Sequence, residues 1–397
     1  MEMKSVAAKN DKLSNNHIPD DIVFSILSKL PLKSFKRFEC VRKSWSLLFQ
    51  NYLLFNSHRC SYYDGASLLL KDFGNGFYSL YGDKFQSKVK LDSPFGNPDS
   101  THFLGFGNIN GTFFVNEDVD YYNKLILWNP ATPAFKLLPG SSVFESLDVS
   151  DDDFSMLHFS MYLNGFGYDD VTNDYKVVRY VSITGELVGI RERSVAVLGY
   201  QSLCSFWEIY SLRSDTWRKL ESEMPPCLDC FEGSQVYMDG VCHWFCGEDT
   251  PDGQCVVSFN LTNEEFFVTP IPSDDDYFVF DETSWINLVV LYGFIGLISY
   301  NKDTTFHISI LSEFGVGESW TKLLTVGPLP FVERPIGVGT KGEIFFVRKD
   351  GELVWLDLST EMIVELGCKV EPYSSRITIY KESILPFDGI RDSFFVY

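Results

Sequence analysis

The chain has 397 residues, 45% of them apolar and 16% aromatic, with 33 Lys and Arg against 54 Asp and Glu, a net charge of −21 and a pI near 4.6. That length holds one small module and one large domain, and a mean hydropathy of −0.04 leaves enough apolar surface for a sizeable core. The acidity argues against nucleic acid and anionic membrane as partners, because both require a basic face.

Residues 1–16 are polar, carry Lys4, Lys9 and Lys12, and read as a disordered tail with no apolar targeting segment. The nine cysteines are irregularly spaced, which fits free thiols in a reducing compartment, cytoplasmic, nuclear or both. The sequons at Asn110 and Asn260 are then expected to be unused.

From His17 the pattern becomes helical. Pro19 suits a first helical position, Asp20 and Asp21 suit the positive end of the helix dipole, and Ile22, Ile26, Leu27 and Leu30 recur on one face. Pro31 ends that helix. Leu32, Phe35, Phe38 and Val41 mark a second, and Trp45, Leu48 and Phe49 a third. Three helices in about 35 residues are too few for a self-sufficient core. The module packs either on the rest of its own chain or on a partner helix.

The stretch IPDDIVFSILSKLPLKSFKRFECVRKSWSLLF resembles an F-box, the unit by which ubiquitin-ligase receptors bind a Skp-type adaptor and, through it, a cullin-RING complex. The resemblance covers residues 17–57 and implies that Ile18, Pro19, Ile22, Ile26, Leu30, Pro31, Leu32, Val41 and Trp45 face the adaptor. Ile18 stands where Leu is usual, a conservative departure.

After residue 60 the segments shorten and turn residues crowd in. A strand–turn–strand unit recurs as LILWNPATPAFKLLP, GFGYDDVTNDYKVVRY, WEIYSLRSDTWRKL, VVSFNLTNEEFFVTPIP, HISILSEFGVGESWTKL and LVWLDLSTEMIVELG. Trp128, Tyr168, Tyr210, Phe259, Ile310 and Leu356 are spaced by 40, 42, 49, 51 and 46 residues, and a weaker copy sets Tyr81 another 47 back. A hairpin period of about 40–50 residues predicts a β-propeller, with a sandwich or irregular β stack as the alternatives. The fold class expected is mainly β with a small N-terminal α module, a three-helix F-box followed by a β-propeller-like domain over 60–397. The uncharged run Thr283–Asn301 is nearly long enough to span a membrane, but Gly293 and Gly296 interrupt it. Two buried strands meeting at Tyr292-Gly293 are expected instead.

These lines also resemble the F-box-associated (kelch-like) domain of plant F-box proteins, a broad group that includes the S-locus F-box proteins. LWNPAT, GFGYDDVTNDYKVVR, EIYSLRSDTWR and SWTKLLTV carry the likeness, and Cys242 departs from it by preceding His243-Trp244 where a small or aliphatic residue is usual. The resemblance implies a non-catalytic receptor that brings an unidentified target protein to ubiquitination and proteasomal degradation. A non-degradative adaptor-bound scaffold and a glycan- or small-molecule-binding propeller are the other classes to separate from it.

Residue patterns for chemistry are few. Cys227, Cys230, Cys242 and Cys246 have zinc-like spacing, yet Cys242, Trp244 and Cys246 alternate along one strand face, which favours core packing. Gly337-Val-Gly-Thr-Lys-Gly342 precedes a strand rather than a helix, so a hairpin turn is expected, not a nucleotide site. No metal and no cofactor are expected. Three connections mix or concentrate carboxylates and tyrosines and are the candidate target-binding loops: Tyr121 and Tyr122; Asp151, Asp152 and Asp153; and Asp274, Asp275, Asp276 and Tyr277. They suit a basic protein surface.

Overall fold

The computed structural model describes residues 66–381, except 73–74, 83–84, 96, 98–99, 105–107, 120–121, 132–134, 142–156, 192–193, 222–229, 247–253, 273–284, 301–304, 330, 340–341, 358–361 and 372–374. The residues of the expected F-box, from Ile18 to Trp45, and the expected domain boundaries at 16, 17, 57 and 60 lie outside the described residues.

Among the described residues, twenty-four strands form six antiparallel sheets of four. Blade I takes β1 (Ser67–Asp72), β2 (Gly76–Tyr81) and β3 (Ser87–Lys90) from the start of the domain. Blade II is β4 (Thr101–Phe103), β5 (Phe113–Val119), β6 (Tyr122–Trp128) and β7 (Phe135–Leu137). Blade III is β8 (Leu157–Asp169), β9 (Asp174–Arg191), β10 (Ser194–Ser211) and β11 (Thr216–Lys219). Blade IV is β12 (Cys230–Met238), β13 (Val241–Cys246), β14 (Cys255–Asn260) and β15 (Phe266–Pro270). Blade V is β16 (Trp285–Leu291), β17 (Phe294–Tyr300), β18 (Phe306–Leu311) and β19 (Trp320–Val326). Blade VI is β20 (Val332–Val338), β21 (Ile344–Arg348), β22 (Glu352–Asp357) and β23 (Met362–Lys369). The last strand, β24 (Arg376–Tyr380), returns to pair with β1, Ser67 opposite Tyr380, and completes blade I. The fold is a six-bladed β-propeller.

First strands of successive blades touch: β8 with β12, β12 with β16, β16 with β20, and β20 with β24. They therefore form the inner wall of the ring. The core lies between blades, because alternate residues of a strand face opposite neighbours. Leu68 and Leu70 pack towards Phe345 and Trp355 of blade VI, while Leu69 packs towards Phe113 and Trp128 of blade II. Val177 and Tyr210 face blade II, whereas Val178 and Ile209 face Trp244 and Phe259 of blade IV. Phe245 faces Leu288 and Leu297 of blade V, and Phe306 meets Phe346 edge-on at 4.9 Å between blades V and VI. Each interface is dense in aromatic rings.

The expected pair of buried strands is β16 and β17, joined by Tyr292 and Gly293 at φ 52° and 76°. Asn110-Gly111 and Asp239-Gly240 take the same doubly positive conformation, which matches the twist of flanking strands. The glycines of 337–342 lie along β20 and in its turn to β21, as their setting predicted. Gly337 has a further reason: a Cβ there would strike the Ile377 carbonyl of β24, so only glycine lets blades VI and I approach this closely.

The repeat count needs correction. Seven units are legible but there are six blades. GFGYDDVTNDYKVVRY is the β8–β9 hairpin and WEIYSLRSDTWRKL the β10–β11 hairpin of the same blade. All the other copies are third-to-fourth-strand hairpins. Blade III has strands of 13, 18 and 18 residues, so its two hairpins sit as far apart in sequence as neighbouring blades do.

Candidate functional site

Antiparallel blades give the ring two unlike ends. Connections from first to second and from third to fourth strands lie at one end, the turn end. Connections from second to third strands, and from each blade to the next, lie at the other, the loop end. Residues 66 and 381, flanking β1 and β24, are both at the turn end, where Asn108 Nδ2 donates to the Lys381 carbonyl at 3.2 Å.

The turn end is built from short, internally bonded segments. Lys176 of β9 donates to Asp169 at 2.8 Å and crosses to blade IV to bond the Leu261 carbonyl at 2.7 Å. Thr262 Oγ1 returns a bond to Asp169 at 2.9 Å, and Thr172 Oγ1 adds another at 2.7 Å. Tyr237 of blade IV donates to the Tyr168 carbonyl at 2.8 Å. Burial alone would raise the Asp169 carboxyl, but the Lys176 ammonium, the two threonine hydroxyls and the Val171 N–H hold it well below the ordinary carboxylate range. Blade II is tied to blade III in the same way. Lys136 pairs with Asp215 at 2.7 Å, Tyr210 donates to Asp215 at 2.7 Å, and Trp217 Nε1 donates to the Pro139 carbonyl at 2.8 Å. Inside that joint, Arg179 bonds Glu208 at 2.6 Å and lies over the Trp217 ring. The Gly-Phe-Gly-Tyr-Asp…Thr-x-Asp-Tyr-Lys line is therefore a clasp between blades. The sequence marks it as distinctive but does not reveal this role, since its partners Leu261 and Thr262 lie some 90 residues away.

The loop end receives the long connections. Those after β7 (138–156), β11 (220–229), β13 (247–254) and β15 (271–284) leave blades II to IV there. Together they hold sixteen Asp and Glu and no Lys or Arg. The described strands that flank all three candidate target-binding loops end and begin at this end. Tyr122 begins β6, while Tyr121, Asp151, Asp152, Asp153, Asp274, Asp275, Asp276 and Tyr277 lie outside the described residues. The topology thus gathers connections that are far apart in sequence.

One element there went unforeseen. At about 3.3 Å per residue, the 18 residues of β9 run some 60 Å. Second strands of the other blades have five to seven residues. Strand β8 accompanies β9 only to Gly185, so Glu186–Arg191 pair with β10 alone as a two-stranded ribbon directed to the loop end. Val181, Ile183 and Phe206 form a small apolar cluster at its base.

Cys242 and Cys246 lie with Trp244 in the interface of blades III and IV, and burial pushes the Cys242 thiol up. His243 points the other way. Its Nδ1 is 2.8 Å from Ser258 Oγ and its ring stacks on Phe314 at 5.0 Å. Burial pushes the imidazole down to about 3. A Ser–His contact of this kind is closed to solvent and its nitrogen is far too weak a base for work near neutrality. Among the described residues no group of three His, Cys, Asp or Glu is arranged to hold a metal, and no helix is long and apolar enough to cross a membrane.

The sequence has counterparts among known proteins. An F-box/kelch-repeat protein of Arabidopsis thaliana is 25% identical over 83% of this chain and 84% of its own length. F-box protein CPR1 of the same plant is 26% identical over 91% of this chain and 87% of its own. TolB from Acinetobacter baumannii matches 84% of this chain and 72% of its own at 8% identity and a TM-score of 0.43, too loose a likeness to bear on function. The model of the F-box associated beta propeller domain matches residues 85–383, three quarters of the sequence, and the chain belongs to that family.

Proposed function

We propose that this chain is the substrate-recognition subunit of a Skp–cullin–F-box ubiquitin ligase and has no catalytic activity of its own. One observation carries the reading: a propeller of the F-box associated family is joined in one chain to the apolar helical pattern of residues 17–57. The match to CPR1 over 91% of the chain leaves too few residues uncovered to miss that segment altogether. In this role Ile18, Pro19, Ile22, Ile26, Leu30, Pro31, Leu32, Val41 and Trp45 bind a Skp-type adaptor, and the ligase supplies proximity between ubiquitin donor and target. The expected setting is cytoplasm or nucleus, which suits the thiols of Cys204, Cys242 and Cys368, none of which is in a disulfide. Relation to the S-locus F-box group is part of the same reading and rests on the sequence lines quoted above.

The test is co-expression with a Skp-type adaptor. Pro19→Ala with Ile26→Asp should abolish co-purification while the β domain keeps its unfolding transition. Retention of the adaptor by that variant refutes the docking face.

The loop end is the target-binding surface in this reading, and the target presents a basic patch. The connections 138–156, 220–229, 247–254 and 271–284 together carry sixteen Asp and Glu and no Lys or Arg, which favours such a partner by charge complementarity. Changing Asp151, Asp152, Asp153, Asp274, Asp275 and Asp276 together to Lys should weaken target binding at least tenfold and flatten its salt dependence.

A further inference from the structure

The outer strand of each blade shows a row of backbone groups to solvent, and lysine or proline there keeps a further strand from adding. β3 carries Lys88 and Lys90, β7 Lys136, β11 Lys219, β15 Pro270, β19 Lys322 and β23 Lys369. Blade III has a second outer edge that carries neither. β11 pairs with β10 only from Glu208 to Ser211, and one more bond runs from the Leu220 N–H to the Trp207 carbonyl. Over residues 194–206, β10 is paired with β9 on one side, and among the described residues no strand lies on the other. Blade II leaves a shorter edge of this kind, residues 122–124 of β6, and that one ends in Lys124.

Ladder groups alternate in direction along a strand. Because the Trp207 carbonyl faces β11, the N–H and C=O of Ser205 also point away from β9. Ser205 is exposed, as are Gln201 and Ser202. Leu203 and Cys204 are half-buried and pack on Val181, Ile183 and Phe206, so the edge stands on an apolar base. Bulges between Val197 and Gly199 and between Ser202 and Cys204 leave 199–202 and 204–206 as its regular stretches. Residues 194–207, SVAVLGYQSLCSFW, hold no charge and no proline, in a chain where charged residues make up 22%.

We infer that this edge pairs antiparallel with the same edge of a second copy of the chain, through main-chain hydrogen bonds. Charge selects that occupant. Like charges set opposite one another on adjacent strands are destabilising, and a chain of net charge −21 repels its copy wherever acidic segments meet. An uncharged edge lets two copies meet without that penalty. Antiparallel pairing of a strand with itself is two-fold, uses each edge once and closes at two chains. The inference does not depend on the ligase reading.

The full-length chain would be followed by sedimentation velocity over a range of concentrations. The expected result is a concentration-dependent shift from the monomer mass of 45.4 kDa to twice that value. The dimer should tighten as NaCl is raised, because salt screens the repulsion between two acidic chains. Ser205→Pro removes an outward N–H and leaves the ladder to β9 intact, a setting in which a strand tolerates proline. It should weaken dimerisation at least tenfold while the chain still unfolds cooperatively. Gln201→Lys with Ser205→Lys blocks the edge without altering the backbone. Both side chains are exposed, and the added lysines reduce the net negative charge, so a tenfold weaker dimer would come from the edge and not from general repulsion. A monomer at every concentration overturns the inference and leaves the edge to a strand of another protein. A dimer of unchanged affinity in both variants also overturns it, as does one that salt weakens.

Discussion

Lys176 reaches a carboxylate in its own blade and a carbonyl in the next, so removing it breaks two contacts and strands a buried charge. Lys176→Met should destabilise the domain by about 3–5 kcal/mol, the usual cost of breaking one side of a buried pair, read as a lower denaturant midpoint with an unchanged slope. The Asp169 carboxyl is held below its unfolded value, near 4. Its contribution is therefore complete above that pH and is lost as pH falls below it. Asp169→Asn should blunt the loss of stability below about pH 4. His243 works in the same direction for a different reason. Its imidazole is neutral in the fold down to about 3, while the unfolded chain takes up a proton near 6.5. Stability should fall across that interval with a slope approaching one proton, and His243→Gln should remove the slope. At this scale the sequence is readable where alternation alone decides. Cys242, Trp244 and Cys246 share one face and His243 takes the other, as their spacing implies. The role of Lys176 is not readable, because it depends on Leu261 and Thr262 being brought alongside by a neighbouring blade.

Strands and their turns were largely legible, since period-2 burial and doubly positive turn residues leave local marks. Tyr292-Gly293 is the plainest case: an apolar run of membrane-like length is divided by one turn into β16 and β17. Blade III shows the limit. Its long strands place two hairpins 42 residues apart, equal to a blade period, so spacing alone reads one blade as two. The same length creates the β9–β10 ribbon, which beyond Gly185 is paired as two strands only, with the small cluster of Val181, Ile183 and Phe206 at its base. Replacing residues 186–201 by a two-residue turn should therefore leave Tm within about 4 °C, a shift corresponding to roughly 1 kcal/mol or less. If that deletion abolishes folding, the ribbon is part of the core. Gly337→Ala is the contrasting case. The added methyl meets backbone on β24, and overpacking against a rigid neighbour should cost about 1–3 kcal/mol.

The whole ring separates its chemistry by end. Short bonded turns and inter-blade clasps occupy one, where residues 66 and 381 also lie; the strands that bound the four long connections, which carry sixteen Asp and Glu in sequence, end and begin at the other. Neither grouping is visible along the chain, because strand direction, not sequence distance, decides which connections become neighbours. Closure depends on β24 pairing with β1 across more than 300 residues. Ending the chain at residue 371 should remove cooperative unfolding, measured by calorimetry, because Ile377 and Tyr380 would be missing from the two interfaces of blade I. The same closure has a consequence during synthesis. At about 5–20 residues per second, several hundred residues take tens of seconds to emerge, and throughout that time β1 waits with one edge unpaired while its partner is still to be translated. Blades II to V can stack on one another as they leave the ribosome, but blade I remains a three-stranded sheet until β24 is made. A nascent chain of this kind keeps an open strand edge from the emergence of β1 to that of β24, and its demand on chaperones over that interval is set by Arg376–Tyr380 rather than by the average stability of the ring.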